Sequence, residues 1–442
     1  MEILERLFRL KEAGTTPLRE LVAGLTTFAT MSYIIFVQPA VLGAAGMPQG
    51  AVMVATCLSS AMATLLMALL ANYPVALAPA MGHNFFFAYT VVLAMGIHWQ
   101  AALGAVFISG VLFILLSAIG LREKIIEIVP ASLKHSIACG IGLLIALVGL
   151  EWAGIVTAQP GTFIGLGNLS ATPTVVAIIG FLITAGLMAL GFRGAILTGI
   201  IVSAIVGLFT GVVEYRGVLS PPPSVEPTFL KLDIWGALSQ GLFTVIFVFF
   251  FLDLFDTVGT LIGVAEEGGF MKDGKLPRAR EALLSDAVGT VAGSLLGTST
   301  VTSYIESASG IGVGGRTGLT SVVVAILFVL ALFFSPLVEM IGSGYRQGET
   351  TLYPVIAPAL VVVGSLMLRG IRLIDWTDPT ESLPAFITLI TMPVTFSITE
   401  GIGFGFITYT VLKLFTGRLG DGSPLVHTIS VLFLVRYLFF MG

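Results

Sequence analysis

The sequence predicts an all-α polytopic membrane protein with fourteen transmembrane spans arranged as a 7+7 inverted repeat. Three observations lead there. Of 442 residues, 56% are hydrophobic and only 10% are Asp, Glu, Lys or Arg. A soluble domain carries about 25% charged residues, so this chain cannot cover a water-facing surface. Fourteen stretches are apolar over close to the ~20 residues that a helix needs to cross ~30 Å of hydrocarbon. They fall seven on either side of a polar, proline-rich linker around Ser220 to Pro227, and an odd number of spans per half turns the second half upside down.

In chain order, residues 1–18 read as a charged, amphipathic cytoplasmic N-terminus, without the apolar stretch behind a basic start that marks a signal peptide. Spans 1–4 lie at 19–41, 50–71, 75–94 and 99–121, and spans 5–7 at 130–157, 173–191 and 194–213. An extracellular linker, 214–238, follows. Spans 8–11 lie at 239–264, 281–298, 303–315 and 318–341, and spans 12–14 at 352–369, 381–398 and 400–417. The last apolar run, 424–441, holds His427 and Arg436 and reads as an interfacial helix.

The basic residues test this count, because cytoplasmic segments are enriched in Lys and Arg. With the N-terminus inside, the inside segments hold Arg6, Arg9, Lys11, Arg19, Arg122, Lys124, Lys134 and Arg193, then Lys272, Lys275, Arg278, Arg280, Arg316, Arg369, Arg372, Lys413, Arg418 and Arg436. Of the 21 basic residues, that leaves Arg216, Lys231 and Arg346 outside. The expectation is a multi-pass protein of the cell (inner or plasma) membrane, embedded in a lipid bilayer with both termini cytoplasmic. A weak internal echo, Ile125 to Pro130 against Leu337 to Ile341, agrees with a repeat.

Composition also excludes functions. A net charge of −4 offers no basic surface for nucleic acid. Cys57 and Cys139 both lie in apolar stretches, which removes a disulfide framework, and no spaced metal ligands occur. No P-loop or Ser-His-Asp arrangement is present and the four histidines are scattered. No cofactor, metal or enzymatic activity is expected.

Spans 3 and 10 are poor continuous helices. Span 3 opens at Pro74 and carries Ala78-Pro79-Ala80-Met81-Gly82-His83-Asn84, and span 10 opens with Thr298-Ser299-Thr300-Val301-Thr302-Ser303. Proline removes a backbone donor and β-branched residues favour extended chain. Interrupted segments at matching places in two halves point to a transporter's binding site at mid-membrane.

Ionisable side chains inside hydrocarbon are costly and usually face a cavity. Here they are Asp253 and Asp256 in span 8, Asp286 early in span 9 and Glu306 in span 10. Asp253 and Asp256, spaced i and i+3, share a helix face. Other roles stay open: Asp253 as a cap or a hydrogen-bond partner of the neighbouring span, Asp286 as a group of the nearby loop, Glu306 as an N-terminal capper. Set against Asp256, Glu306 would form a pair of desolvated carboxylates that cannot both ionise readily, which is what proton coupling requires. Asn84 adds polar atoms. Of the phenylalanines that follow, Phe85 is the best placed to stack on a flat heterocycle. A histidine such as His83 is more often a satisfied packing residue than a ligand contact.

At these positions the chain resembles the nucleobase/ascorbate permease superfamily, specifically the branch of adenine, guanine and hypoxanthine permeases known first from fungal azaguanine-sensitive uptake. The resemblance runs from Leu21-Val22-Ala23-Gly24-Leu25-Thr26-Thr27-Phe28 to Met392-Pro393-Val394-Thr395-Phe396-Ser397, and is most specific over Asp253 to Gly263 and Thr298 to Gly310. Asp256-Thr257-Val258-Gly259-Thr260 is similar to the Glu-His-x-Gly-His of uracil permeases, and Tyr304-Ile305-Glu306 to their Tyr-Gly-Glu. Ala80-Met81-Gly82-His83-Asn84 resembles Gly-Met-Gly-x-Asn, with Ala80 departing from the pattern. The resemblance implies a purine nucleobase carried by proton symport and a homodimer. It implies a core domain (19–121 and 239–341) and a gate domain (130–213 and 352–417). It also implies a substrate site of Asn84, Phe85, Asp256, Thr260, Tyr304 and Glu306, with Glu306 and Asp256 coupling protons.

Two alternatives compete with this reading. One is an anion permease of sulfate type with the same architecture, whose site of opposed helix N-termini would be spoiled by central carboxylates. The other is an intramembrane prenyltransferase, with Asp253 and Asp256 holding Mg²⁺ on a diphosphate, although the pair is single and lacks a basic neighbour. The purine preferred and the coupling ion are left open.

Overall fold

The computed structural model describes residues 2–118, 129–159, 161–271, 276–348 and 350–439. Arg122, Lys124, Lys272 and Lys275, most of the Ile125 to Pro130 echo, and the far ends of 99–121 and 424–441 lie outside the described residues. The chain forms two compact units, one from 1–119 with 151–359, the other from 120–150 with 360–442.

In the first unit a short amphipathic helix, α1 (Glu2–Phe8), precedes α2 (Pro17–Met31). Thr16 caps α2 by accepting from Arg19 N, and Pro17 fits the first turn, where no donor is needed. The helix yields at Ser32 and Tyr33 before resuming as α3 (Ile34–Ala44). Next come α4 (Gln49–Leu66), which widens into a π stretch Met67–Ala71, and strand β1 (Leu77–Pro79). Helix α5 (Met81–Phe85) continues as a π stretch Phe86–Ala94, followed by α6 (Trp99–Ala118). After α7 (Ala131–Trp152), most of which belongs to the second unit, come the hairpin β2 (Val156–Gln159) and β3 (Phe163–Leu166), α8 (Thr172–Ala189), α9 (Ala195–Thr210) and α10 (Ile234–Ser239).

The later part of this unit holds α11 (Phe243–Gly268), α12 (Ala279–Leu296), β4 (Val301–Ser303) and α13 (Ser307–Gly312). It closes with α14 (Gly318–Ala331), α15 (Ser335–Gly342) and the hairpin β5 (Tyr345–Gln347) and β6 (Thr350–Leu352). The two interruptions expected in spans 3 and 10 are therefore β1 and β4. They pair antiparallel, with Leu77 opposite Ser303, Ala78 opposite Thr302 and Pro79 opposite Val301. The hairpins β2–β3 and β5–β6 were not anticipated.

Two matched clasps hold the strand pair. Thr64 on α4 accepts from Leu77 N at 2.9 Å and donates to Leu77 O at 3.0 Å. Thr290 on α12 accepts from Val301 N at 3.1 Å and donates to Val301 O at 3.0 Å. In each case one hydroxyl satisfies both backbone groups of the residue one before the middle of the strand. That is how non-helical backbone survives where no water can reach it. A further tie joins α2 to α14: the buried Glu20 carboxylate accepts from Arg316 N (2.9 Å), Thr317 N (3.3 Å), Thr320 N (3.2 Å) and Thr320 Oγ1 (2.7 Å), capping the start of α14.

The second unit contains the bulk of α7, then α16 (Ala357–Met367), α17 (Pro379–Thr395), α18 (Ile398–Phe415) and α19 (Pro424–Phe439). Helices α7 and α16 cross at Gly142 and Gly364. A Cβ on either would lie 2.7 or 2.4 Å from the other's carbonyl oxygen, the small-residue contact typical of membrane helices. Helix α19, the run expected at the interface, packs antiparallel along α18. Ser430 Oγ donates to Phe406 O at 2.7 Å, Thr410 Oγ1 lies 3.0 Å from His427 Nδ1, and Arg436 pairs with Glu400 at 2.9 Å. The fully buried Lys413 pairs with Glu381 at 2.9 Å and Asp421 at 3.2 Å, and Arg418 binds Asp378 and Asp421, each at 2.8 Å.

Among the described residues, eight helical stretches are long and apolar enough to cross a membrane: 17–44, 49–71, 99–118, 131–152, 172–189, 243–268, 318–342 and 398–415. The other expected spans are shorter, are interrupted by strand or, in the 18-residue α12, carry Arg280, Glu281 and Asp286. The architecture is a mostly helical polytopic one.

Candidate functional site

The candidate site lies within the first unit, at the β1–β4 crossing. Where β1 ends, Ala80 donates from its backbone to Thr300 O at 2.9 Å and α5 begins, carrying His83, Asn84 and Phe85. Ala80, the departure from the family pattern, has φ −76° and ψ 131°, extended backbone that alanine adopts as readily as glycine. Where β4 ends, Tyr304 N donates to Ala76 O at 2.9 Å and Glu306 takes the N-cap position of α13. The two half-helices leave the strand pair from its opposite ends.

Glu306 sits where a capping carboxylate would, yet its side chain makes no capping hydrogen bond. It is turned to Tyr33, whose hydroxyl donates to Glu306 Oε1 at 2.7 Å. Asp256 on α11 accepts from Thr302 Oγ1 at 3.4 Å and lies 4.0 Å from His83 Nδ1. With 41% of its side chain exposed, Asp256 contrasts with a 2% exposed His83, and Glu306 is likewise half-buried, so both carboxylates are in reach of a solute. It interacts electrostatically with both Glu306 and Asp286.

The other sequence-derived residues divide. Asn84 is buried, and its Oδ1 accepts from Ser299 Oγ. Tyr304 is buried, and its hydroxyl donates to Pro79 O, so it braces β1 against β4. Phe85 is fully buried and stacks on Tyr89, with centroids 5.6 Å apart and planes 20° from parallel. Thr260 is half-buried, one helical turn beyond Asp256. Asp253 and Asp256 do not act together despite their shared face. Asp253 Oδ1 accepts from Thr257 Oγ1 at 3.2 Å, and the same hydroxyl lies 2.7 Å from Asp286 Oδ1, which ties α11 to α12 behind the site.

Polar atoms without a hydrogen-bond partner among the described residues gather here. They include Asn84 Nδ2, both ring nitrogens of His83, Thr300 Oγ1, Ser303 Oγ and Gln38 Oε1, all buried. Buried polar groups are ordinarily satisfied, so such a cluster marks a place that receives other polar groups. Sequence reasoning missed the first span's share. Gln38 Nε2 donates to Thr298 Oγ1 at 2.9 Å and Ser299 Oγ at 3.3 Å, and Thr30 Oγ1 lies 3.4 Å from Glu306 O. A Gln-Pro pair inside an apolar run was the available signal for Gln38; Tyr33, amphipathic and common in apolar runs, gave none.

Residues 18–404 match the permease family that includes the xanthine and uracil permeases. Adenine permease AdeP of Escherichia coli K12 is 47% identical over 438 residues, covering 99% of this chain and 96% of that protein. Guanine/hypoxanthine permease PbuO of Bacillus subtilis 168 is 42% identical over 436 residues, covering 97% and 99%. Among solved structures, the transmembrane domain of the cyanobacterial bicarbonate transporter BicA superposes with a TM-score of 0.61 at 15% identity, over 87% of this chain and 97% of that one. Murine Slc26a9, an anion transporter in its inward-facing state, gives 0.62 at 12% identity, over 90% and 68%. At such identities these structures speak for fold alone. Membership in a permease family sets the prenyltransferase alternative aside, and the chain, a permease and not an enzyme, belongs to the nucleobase/ascorbate permease superfamily.

Proposed function

We propose that this permease imports purine nucleobases (adenine, guanine or hypoxanthine) by proton symport, through alternating access. One observation carries the reading. Two carboxylates, Asp256 beside Thr302 and His83, and Glu306 at the N-cap of α13, stand at a strand crossing among buried amide, imidazole and hydroxyl atoms without a hydrogen-bond partner among the described residues. A neutral base rich in N–H donors and ring acceptors suits that set, whereas an anion would meet uncompensated negative charge. The names of the relatives, adenine permease and guanine/hypoxanthine permease, support the same substrate class.

In this reading Asp256 accepts the base's N–H groups and Glu306 exchanges the coupling proton. Asn84 and Thr260 complete the polar contacts, Tyr304 shapes the strand crossing and Phe85 supplies its aromatic wall. The matched clasps of Thr64 and Thr290 support a 7+7 inverted repeat of fourteen spans. The core (19–121 and 239–341) would carry the site and move against the gate (130–213 and 352–417), in a homodimer of the cell membrane with both termini cytoplasmic.

The test is uptake of radiolabelled adenine, guanine, hypoxanthine and uracil into proteoliposomes, with and without an imposed pH gradient. Concentrative purine uptake that depends on the gradient supports the proposal. Uptake of bicarbonate or sulfate instead of any purine would move the protein to the anion class.

A further inference from the structure

We propose that Tyr33 is the positioning residue of Glu306, fixing the direction of its carboxylate and the ease with which it gives up its proton. The proposal rests on the reading of Glu306 as the coupling acid. Its support is geometric. Tyr33 is 2% exposed and donates to Glu306 Oε1 at 2.7 Å. It lies at the junction of α2 and α3, where its carbonyl accepts from Val37 N at 3.0 Å, so its backbone is held by the first turn of α3.

The carboxylate's own helix is fixed to the same element. A Cβ at Gly310 of α13 would lie 2.1 Å from Thr27 Oγ1 and 2.7 Å from Ala23 O of α2. Only glycine permits that approach, which holds Glu306 and Tyr33 in register. The ionisable groups around the pair are Tyr304 and Asp256, and Asp256 in turn has His83 at 4.0 Å and the charge of Asp286 nearby. Tyr33 is the group that donates directly to the Glu306 carboxylate.

A phenol both donates and accepts. Against an ionised Glu306 it donates, which favours the charged form; against the acid it can accept, so the same contact serves both halves of the cycle. Removing the hydroxyl leaves the ionised carboxylate less compensated, and the proton is then held to higher pH.

The experiment uses the full-length protein in proteoliposomes. Tyr33→Phe should keep purine binding at low pH while the pH at which uptake falls by half rises by about one unit. Tyr33→3-fluorotyrosine, which retains size and hydroxyl but donates more strongly, should move it the other way, and this variant serves if the phenylalanine form does not fold. An infrared pH titration should show the same two shifts in the carboxyl band that Glu306→Gln abolishes. If Glu306→Gln loses accumulation but neither Tyr33 variant moves the profile or the band, Tyr33 is only packing and the proposal is overturned while the coupling reading stands. If Glu306→Gln still accumulates purine, the coupling reading fails and takes this proposal with it.

Discussion

Replacing Thr290 by valine removes the clasp on β4 with almost no change of shape. The hydroxyl accepts from Val301 N and donates to Val301 O, and both groups lie at a fully buried residue. Hypothetical Cβ atoms on Gly289 and Gly293 would lie 3.2 and 3.1 Å from the Val301 side chain, so α12 is too close for water to substitute. An unsatisfied buried backbone group costs ~1–3 kcal/mol, with the carbonyl at the lower end because its second lone pair is easier to satisfy. The sum is about 2–4 kcal/mol. Thr290→Val should therefore melt several degrees below wild type in detergent, by thermal shift of the purified protein, and bind purine more weakly because Thr302 and Glu306 follow from the same strand. Thr290→Ser keeps the hydroxyl and should stay close to wild type, and Thr64→Val should reproduce the loss from the other side. A Thr290→Val protein that melts with wild type and binds purine equally well would refute the view that the strand depends on this hydroxyl.

Glu306→Gln should retain purine binding and lose gradient-driven accumulation, because an amide hydrogen-bonds but exchanges no proton; concentrative uptake by the variant would count against that role. Asp256→Ala should weaken purine binding roughly 10–100-fold, the equivalent of ~1–3 kcal/mol for base donors left without their acceptor, read by isothermal titration or scintillation proximity. Spin labels placed near Asp256 and Glu306 should keep a fixed separation while core-to-gate distances change on adding purine. Asp378 is held down to about 2 by the backbone N–H of Thr380, the Arg418 guanidinium and the Thr380 hydroxyl, below an unfolded value of ~3.9. Its contribution is therefore complete above that unfolded value and fades as pH falls toward about 2, so the melting-temperature gap between wild type and Asp378→Asn should shrink from pH 6 to pH 3.

The sequence was most legible where a residue type conflicts with its surroundings. Pro74 and Pro79 in one apolar run, and a β-branched and hydroxyl run before Tyr304, marked the two strands, since neither stretch is at ease as membrane helix. Asp256 and Glu306 stood out for the same reason. Pairings between distant elements were not legible. Nothing in the i, i+3 spacing of Asp253 and Asp256 tells that the first turns to Thr257 and Asp286 while the second turns to Thr302. The sequence singles Phe85 out of a triplet by its neighbour Asn84, but its environment is set by Tyr89 one turn on. Tyr33 is invisible to any rule that counts it as apolar. The partner of the last helix was hidden too, because Ser430 and Arg436 find Phe406 and Glu400 through a chain reversal that no periodicity encodes.

The pairing of β1 with β4 also sets an order of assembly. Emerging from the ribosome, β1 has an edge whose only described strand partner belongs to the other half of the chain. Thr64 shields the backbone of Leu77, but Ala80 N and Ala76 O wait for Thr300 and Tyr304. Until those residues are made, the first half enters the bilayer with polar backbone that hydrocarbon cannot satisfy. The first half is thus a provisional structure, and a chain truncated before β4 should be retained by the insertion machinery or degraded. Co-expressing the two halves as separate chains should rescue both, since what each lacks is the other's strand.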